Sequence, residues 1–596
     1  MLLAGIDWVI IGIFFVIILA IGIIASRKVG DTSADFFLSG RSMPFWLLGI
    51  SMVATTFSTD TPNLVTDLVR NYGVSGNWLW WAFLLTGMLT VFVYTKLWRR
   101  SNVMTDIEFY EIRYSGKSAA FLRGFRAVYL GFFFNVMIMA TVSLAAIKIG
   151  SVLLNTTPLE TISVALLITV IYAGLGGLRS VLFTDLFLFS FAMFGAVAAA
   201  VVAVSLPEVG GLSGLFSHPN VADKLSLLPD FNDPQTLIIV FIIPIAVQWW
   251  SVWYPGAEPG GGGYLVQRML SAKNEKHAMG ATLFFNVAHY AIRPWPWILV
   301  ALASLIIYPD LATLQSKFPQ VDPSILKDDL AYPAMLTFLP VGVMGIVVAS
   351  LIAAYMSTMA SQLNWGSSYL VNDVYRRFIK PEATEKELVK VGRISTVVLM
   401  LVAGIIALFL QNALQAFHIL LQIGAGTGLI FILRWFWWRI NAMTELAGMI
   451  ASFVLAVYFE MIHENLGFLP MESHVRLIVG VAITTIIWVA VTFWTKPTDN
   501  NTLIKFYKLI RPGGRGWDKV IEISKQTSEP ITKRAKQGDL ARGIVSMIAG
   551  TFLVYGIVFS SGYFLYGQLI SGVVTGVVAL LGGIVLYKNW GKIEML

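Results

Sequence analysis

Cysteine is absent from the 596 residues, which removes disulfides, thiolate metal sites and a cysteine nucleophile together. Histidine is scarce, six in all and without ligand-like spacing, so a zinc site is not expected. Charge is scarce too: 13% of residues are Asp, Glu, Lys or Arg, against 57% hydrophobic, and mean hydropathy is +0.74. A chain this apolar does not make an ordinary soluble domain. No coiled coil, low-complexity tail or convincingly spaced nucleophile and base is visible, so neither an enzyme nor an organic cofactor is expected.

Long apolar runs fill the space instead. A membrane span takes roughly 20 mainly apolar residues, and about fifteen such runs follow one another from residue 7 to residue 588. They read 7–25, 44–70, 76–98, 121–150, 158–177, 181–205, 236–256, 277–307, 340–370, 394–412, 414–438, 443–462, 474–494, 543–562 and 566–588. An all-α polytopic membrane protein is the expected class. The first run has no basic residue before it and no small-residue cleavage site after it, so it is expected to remain as a helix. The net charge of +8 is not a nucleic-acid signal, because the basic residues are sorted by loop. Of the 42 Lys and Arg, 34 fall on one set of alternating loops, 6 on the other and 2, Arg293 and Arg434, inside spans. That bias predicts an external N-terminus, a cytoplasmic C-terminus, contact with lipid headgroups and a plasma (inner) membrane location. Two loops are long: an outer one at 309–339, and a cytoplasmic one at 496–542 in which Arg511 to Gly514 break two expected surface helices.

Two runs are poor lipid helices. The second reads SMVATTFSTDTPNLV from Ser51, with hydroxyls, Asp60 and Pro62 where hydrocarbon should be. The seventh runs into WYPGAEPGGGGYLVQR from Trp253, whose two prolines and five glycines cannot continue a helix. Broken backbone at membrane depth is tolerated only where protein or a wet cavity satisfies it. The two breaks are five spans apart, the spacing of an inverted repeat of five helices whose first members are discontinuous and frame the solute and ion sites.

A discontinuous helix frees carbonyls for a sodium ion, and a neighbouring helix supplies hydroxyls. The run AAYMSTMASQLNWGSS from Ala353 offers Ser357 and Thr358, with Ser361 three or four residues on and on the same face. The alternative is that these hydroxyls bond back to their own helix or to another one.

At these residues the chain resembles the sodium/solute symporters, the family of the sodium/glucose and sodium/proline carriers, which has a LeuT-like core. The likeness rests on Ala354, Ser357 and Thr358 followed by Asn372, Asp373 and Tyr375; on FFLSGRSMPFWLLGISMVATTFS from Phe36; on GGLRSVLFTD from Gly176; and on VQRMLSAKN from Val266. It implies a 5+5 inverted-repeat core with one extra N-terminal helix and about four extra C-terminal ones. The expected division is 1–43, 44–205 and 206–438 for the two repeats, and 439–596 with its cytoplasmic loop 496–542. The resemblance implies a sodium site from the carbonyls of Ala54, Phe57 and Ala354 and the hydroxyls of Ser357 and Thr358. In some members a second sodium is held by residues matching Asp185, Thr358 and Ser361. A structural hydrogen bond from Asp185 to Thr358 or Ser361 is the other reading of that carboxylate.

The pattern departs from the sugar-carrying members at the solute. Those members carry Asn or Asp followed by Gln where this chain has Gly262 and Gly263, and an acid where this chain has Trp78, Trp80 and Trp81. The residues on offer are Thr56, Asp60 and Thr61 in the broken helix, Trp81, Gln248 and Trp249 as polar and aromatic walls, and His289 with Arg293 one turn apart. Arg293 either anchors an anionic solute or serves the fold, neutralising Asp60 or capping backbone freed by Pro294 and Pro296. Arg434 and Arg439, among tryptophans, read as interfacial anchors. The expected function is sodium-coupled symport of a small polar solute, a sugar, sugar acid, amino acid or carboxylate, by a protein able to work as a monomer. Proton coupling and a transporter-fold sensor are the alternatives.

Overall fold

The computed structural model describes residues 3–27, 33–173, 178–251, 258–411, 418, 421, 424, 426–528, 530–536 and 538–593. Helix dominates it, and the one β-bridge recorded joins Met43 to Ala272. Among the described residues eleven helices are long and apolar enough to cross a membrane, from Gly5–Ala25 to Leu569–Trp590. Three shorter apolar helices, Phe45–Thr56, Pro158–Thr169 and Pro234–Ala246, stand where further spans are expected. The first half of the expected run 414–438 lies mostly outside the described residues, and the second half contributes the helix Gly428–Phe436. Of the expected runs, 44–70 and 236–256 are divided into shorter helices, whereas 158–177 and 414–438 include residues outside those described.

Eight helices position the site: α1 (Gly5–Ser26), α2 (Phe45–Thr56), α3 (Asp60–Tyr72), α4 (Leu178–Val204), α5 (Gly263–Ser271), α6 (Glu275–Val287), α7 (Pro294–Ile307) and α8 (Val343–Tyr369). Lipid gives helices no hydrophobic reason to associate, so small residues let their backbones approach. A Cβ on Gly195 of α4 would lie 2.0 Å from Ser350 Oγ of α8, and one on Gly49 of α2 would lie 2.9 Å from the Ala281 carbonyl of α6. These close approaches seat α4 on α8 and α2 on α6. α1 is fastened to α8 by Asp7, fully buried, which accepts the backbone N–H groups of Gly342 and Gly345 at 2.7 and 2.8 Å. A carboxylate there suits the positive end of α8.

The segment 496–542 forms two helices, Asn500–Ile510 and Asp518–Ser524, on either side of the Arg511–Gly514 break. It is strapped to the body by buried Phe506 and Trp517. The Trp517 indole donates to the Trp435 carbonyl at 2.8 Å, and the Arg113 guanidinium lies 5.0 Å from the ring centre of Trp517.

Candidate functional site

The second run breaks where its hydroxyls cluster. α2 stops at Thr56, Phe57 leaves helical geometry at φ −90°, ψ 81°, and α3 restarts at Asp60. Pro62 falls in the first turn of α3, where a missing N–H costs nothing, and Asp60 suits the positive helix end. Ser58 Oγ donates to the Asp60 carboxylate. Ending α2 orphans its last carbonyls, and other helices meet them. The Thr55 carbonyl accepts Thr358 Oγ1 at 2.8 Å, the Thr56 carbonyl accepts Arg293 Nη1 and, at 3.3 Å, Thr61 Oγ1, and the Ala54 carbonyl receives the Phe57 N–H at 3.2 Å.

α8 runs unbroken through Ala354, Ser357, Thr358 and Ser361, all buried. Ser357 Oγ donates to Asp185 Oδ1 at 2.6 Å, and Ser51 Oγ donates to Asp185 Oδ2 at 2.5 Å. Asp185 is thus bonded to Ser357 and Ser51, whereas the residues expected to bond it, Thr358 and Ser361, turn elsewhere. Thr358 donates to α2, while Ser361 Oγ sits 2.9 Å from Thr55 Oγ1 and accepts Arg268 Nη2 at 2.9 Å. Sequence reasoning passed over Arg268. Its only early signal was a place in the VQRMLSAKN stretch, and its partners Ser51 and Ser361 are 217 and 93 residues away.

The candidate solute residues divide into two groups. Thr56, His289 and Arg293 interlock: Thr56 Oγ1 and His289 Nδ1 are 2.9 Å apart, Arg293 Nη2 and His289 Nε2 are 3.1 Å apart, and Arg293 lies 5.4 Å from the Trp297 ring centre. The turn holding them is wide because Pro294 and Pro296 remove donors, and the Arg293 N–H reaches back to the Ala288 carbonyl, five residues earlier. Arg293 therefore caps two ends at once: its Nη1 meets the Thr56 carbonyl of α2, and its Nε donates at 3.1 Å to the His289 carbonyl, the one that Pro294 leaves without a donor. Trp80 packs edge-on to His289 at 5.6 Å and to Trp81 at 6.1 Å. The Trp81 indole N–H is buried with no hydrogen-bond partner among the described residues.

Gln248 belongs to the second group. The seventh run stops being α-helical at Ala246, Gln248–Trp250 makes a tight turn, and Gln248 Nε2 donates to the Leu79 carbonyl at 2.5 Å. Gln248 lines a cavity of about 430 Å³ shared with Tyr72, His418, Glu460 and Arg476. Trp249 packs against Trp250 at 5.5 Å. The break expected from Trp253 to Arg268 begins on residues outside those described; within its described part Gly260 and Gly261 adopt φ of +87° and +84°, which favour glycine, and helix resumes at Gly263.

Arg434 is no interfacial anchor. It is 2% exposed, lies 3.4 Å from Glu445 and 3.8 Å from Glu258, and donates to Tyr110 Oη at 2.7 Å, while Arg126 pairs with Glu258. Flanking aromatics signal cation–π burial as readily as a membrane interface, and here the Phe109 and Phe431 rings lie 4.9 Å from the guanidinium.

Comparison with known proteins agrees with this architecture. The model of the family described as "Sodium:solute symporter family" matches residues 36–452. The sodium/glucose cotransporter of Vibrio parahaemolyticus is 26% identical over 498 residues, covering 81% of this chain and 90% of that one. The human sodium/myo-inositol cotransporter 2 is 26% identical over 490 residues, covering 76% and 69%. Among solved structures, the substrate-bound outward-open state of a Na⁺-coupled sialic acid symporter shares the fold, with a TM-score of 0.64 and 19% identity over 83% of this chain and 99% of the other. These matches do not favour proton coupling or a sensor. The chain belongs to the sodium:solute symporter family and is a sodium-coupled symporter of the multi-pass membrane class.

Proposed function

We propose that this symporter holds its coupling ion where α2 breaks beside α8, with the carbonyls of Ala54, Phe57 and Ala354 and the hydroxyls of Ser357 and Thr358 as ligands. One observation carries the reading. Both hydroxyl protons already have acceptors, Ser357 on Asp185 and Thr358 on the Thr55 carbonyl. A hydroxyl has two lone pairs besides its proton, so each of these oxygens keeps lone pairs to offer a hard cation. Sodium would draw the end of α2 to α8, and solute and ion would then cross together by alternating access.

The halves 44–205 and 206–438 are read as the two inverted repeats, with 1–43 and 439–596 as accessory segments. The Lys and Arg bias supports an external N-terminus, a cytoplasmic C-terminus and a plasma-membrane setting. The membrane potential then contributes about 2.3 kcal/mol per sodium per 100 mV, on the order of fiftyfold accumulation.

For the solute, the similar proteins named for glucose and myo-inositol point to a small polyhydroxylated compound. Thr56, Asp60, Thr61, Trp81, Gln248, Trp249, His289 and Arg293 are proposed to line its path, and the buried indole N–H of Trp81, without a partner among the described residues, calls for an acceptor. Arg293 is already engaged with the Thr56 carbonyl and His289, which favours a neutral solute over a carboxylate. A thermal-shift screen of sugars, sugar acids, amino acids and carboxylates, run in sodium and again in potassium, identifies the compound. Ser357→Ala should then abolish its sodium-dependent uptake while the protein still inserts. Uptake by that variant with unchanged sodium affinity removes the site.

A further inference from the structure

We propose that Tyr555, on the C-terminal hairpin of the helices Asp539–Leu565 and Leu569–Trp590, is a positioning residue for the solute and acts through Trp81. The proposal rests on the reading that Trp81 lines the solute path. Tyr555 lies outside residues 36–452, the stretch that the family model matches. It is drawn in by a kink that no proline explains. The helices Trp78–Trp81 and Leu84–Leu89 part at Ala82 and Phe83, although WLWWAFLL from Trp78 contains no helix breaker. In a regular helix the Leu85 N–H would meet the Trp81 carbonyl. Here it meets the Ala82 carbonyl at 3.1 Å, three residues back, and Tyr555 Oη donates to the Trp81 carbonyl at 2.8 Å. A side chain inserted into the ladder of helical bonds kinks a helix, and Tyr555 is that side chain.

The hairpin holds that hydroxyl in register. At one end Asp539 pairs with buried Lys96. Further along, a Cβ on Gly550 would lie 2.6 Å from Met88 Sδ, and one on Gly562 would lie 2.4 Å from the Trp295 ring, so the helix is seated closely on both sides of Tyr555. The Tyr555 ring itself packs against Trp78 at 4.9 Å. Its bond to the Trp81 carbonyl fixes the peptide that follows Trp81, and with it the tilt of the turn that carries Trp80 and Trp81. Trp80 stacks on Tyr290 at 5.7 Å and stands edge-on to His289, whose Nδ1 lies 2.9 Å from Thr56 Oγ1. The Trp81 indole N–H is the buried donor that still lacks an acceptor among the described residues. One phenol hydroxyl thus sets the attitude of two indoles on the proposed solute wall. Without it the Leu85 N–H can return to its ordinary partner, which straightens the helix and swings both indoles.

The test separates recognition from folding. Proteoliposomes are assayed for sodium-driven uptake of D-glucose and of myo-inositol, and nanodiscs for ²²Na⁺ binding with neither present. Tyr555→Phe, which removes only the hydroxyl, is expected to raise KM for the transported compound about three- to tenfold. Its maximal rate and its sodium affinity should stay near those of wild type. Trp81→Phe should raise KM as well, and adding Tyr555→Phe to it should change nothing further, because the hydroxyl acts through that residue. A fall in maximal rate with KM unchanged, or effects that add in the double variant, overturns the inference and leaves Tyr555 as a packing residue. A Trp81→Phe protein with unchanged KM removes Trp81 from the solute path, and the inference with it. Fluorine spectra of protein labelled with 5-fluorotryptophan need no solute. Tyr555→Phe should move the resonances assigned through Trp80→Phe and Trp81→Phe and leave that of Trp494, 85% exposed, in place. Unmoved Trp80 and Trp81 resonances overturn the inference. A wild type that takes up neither compound removes the polyhydroxylated reading of the solute, and the fluorine spectra then decide the role of Tyr555 by themselves.

Discussion

Thr358→Val tests the sodium site with least disturbance of shape, since it exchanges a hydroxyl for a methyl group inside a fully buried part of α8. Two effects follow, and they separate. The Thr55 carbonyl, which accepts Thr358 Oγ1 at 2.8 Å, loses that partner in a place water does not reach. Leaving such a group unpaired costs about 1–3 kcal/mol, a loss of stability present with or without sodium. The second effect falls on the ion. A neutral group bonded to a charge contributes about 1.5–3 kcal/mol, so removing one ligand oxygen should weaken sodium about 10- to 150-fold. Sodium stabilises the folded state by RT ln(1 + [Na⁺]/Kd), so with sodium in excess each tenfold loss of affinity removes about 1.4 kcal/mol of that stabilisation. Melting curves in nanodiscs across a sodium titration, with choline holding ionic strength, read both effects. Thr358→Ser keeps the hydroxyl and should restore both. A Thr358→Val protein that melts lower in choline but keeps the wild-type sodium midpoint refutes the ligand role and leaves the hydroxyl as a structural cap.

Glu111, on the loop outside the spans, accepts Arg123 Nη1 at 2.5 Å and Arg377 Nη2 at 2.8 Å. Burial pushes its carboxyl up, but the hydrogen bonds and charges of Arg377 and Arg123 outweigh that and hold it below the usual carboxylate range. A depressed folded value means that its stabilising contribution is present above the unfolded value of about 4.3 and is lost as pH falls through the folded one. Glu111→Gln should therefore melt below wild type at neutral pH and converge with it under acid; curves that stay parallel would count against the ion pairs. At the strap, a Cβ on Gly516 would lie 1.9 Å from the Phe436 carbonyl, whereas one on Gly513 comes no nearer than 3.4 Å to Leu540 Cβ. Gly516→Ala should cost about 1–3 kcal/mol in chemical denaturation and Gly513→Ala little, and equal losses would show the strap to be loosely laid.

How much of this was legible follows from the range of each interaction. The break in the second run was readable because Asp60, Pro62 and the hydroxyls around them are local, and the chain leaves helical geometry at Phe57, three residues before Asp60. The face shared by Ser357, Thr358 and Ser361 was readable for the same reason, since helical spacing fixes it. The end of the seventh helix at Ala246 was not: the following Val247, Gln248 and Trp249 contain no breaker, and the Gln248 amide is held by the Leu79 carbonyl, 169 residues away. Charge was the least legible quantity. Arg268, Arg293 and Arg434 look alike in sequence as basic residues near apolar runs, yet one balances Asp185 through Ser51, one caps the Thr56 carbonyl and one is locked against Glu445 and Glu258.

The departure from the sugar-carrying pattern at Gly262 has a physical counterpart in that third arrangement. A Cβ at position 262 would meet the Glu258 carboxyl group at 3.2–3.3 Å, and Glu258 is the buried partner of Arg126. A side chain as large as Asn or Asp at that position would press on this ion pair, and breaking a buried pair leaves a charge uncompensated at a cost of about 3–5 kcal/mol. Glycine at 262 therefore goes with the Arg126–Glu258 pair, and the hydrogen bonds that hold the solute must come from elsewhere. Gly262→Asn, the substitution that would approach the sugar-carrying pattern, should accordingly lower the melting temperature instead of adding sugar affinity. A variant that melts like wild type and gains a sodium-dependent thermal shift with glucose would break the link between this glycine and the ion pair.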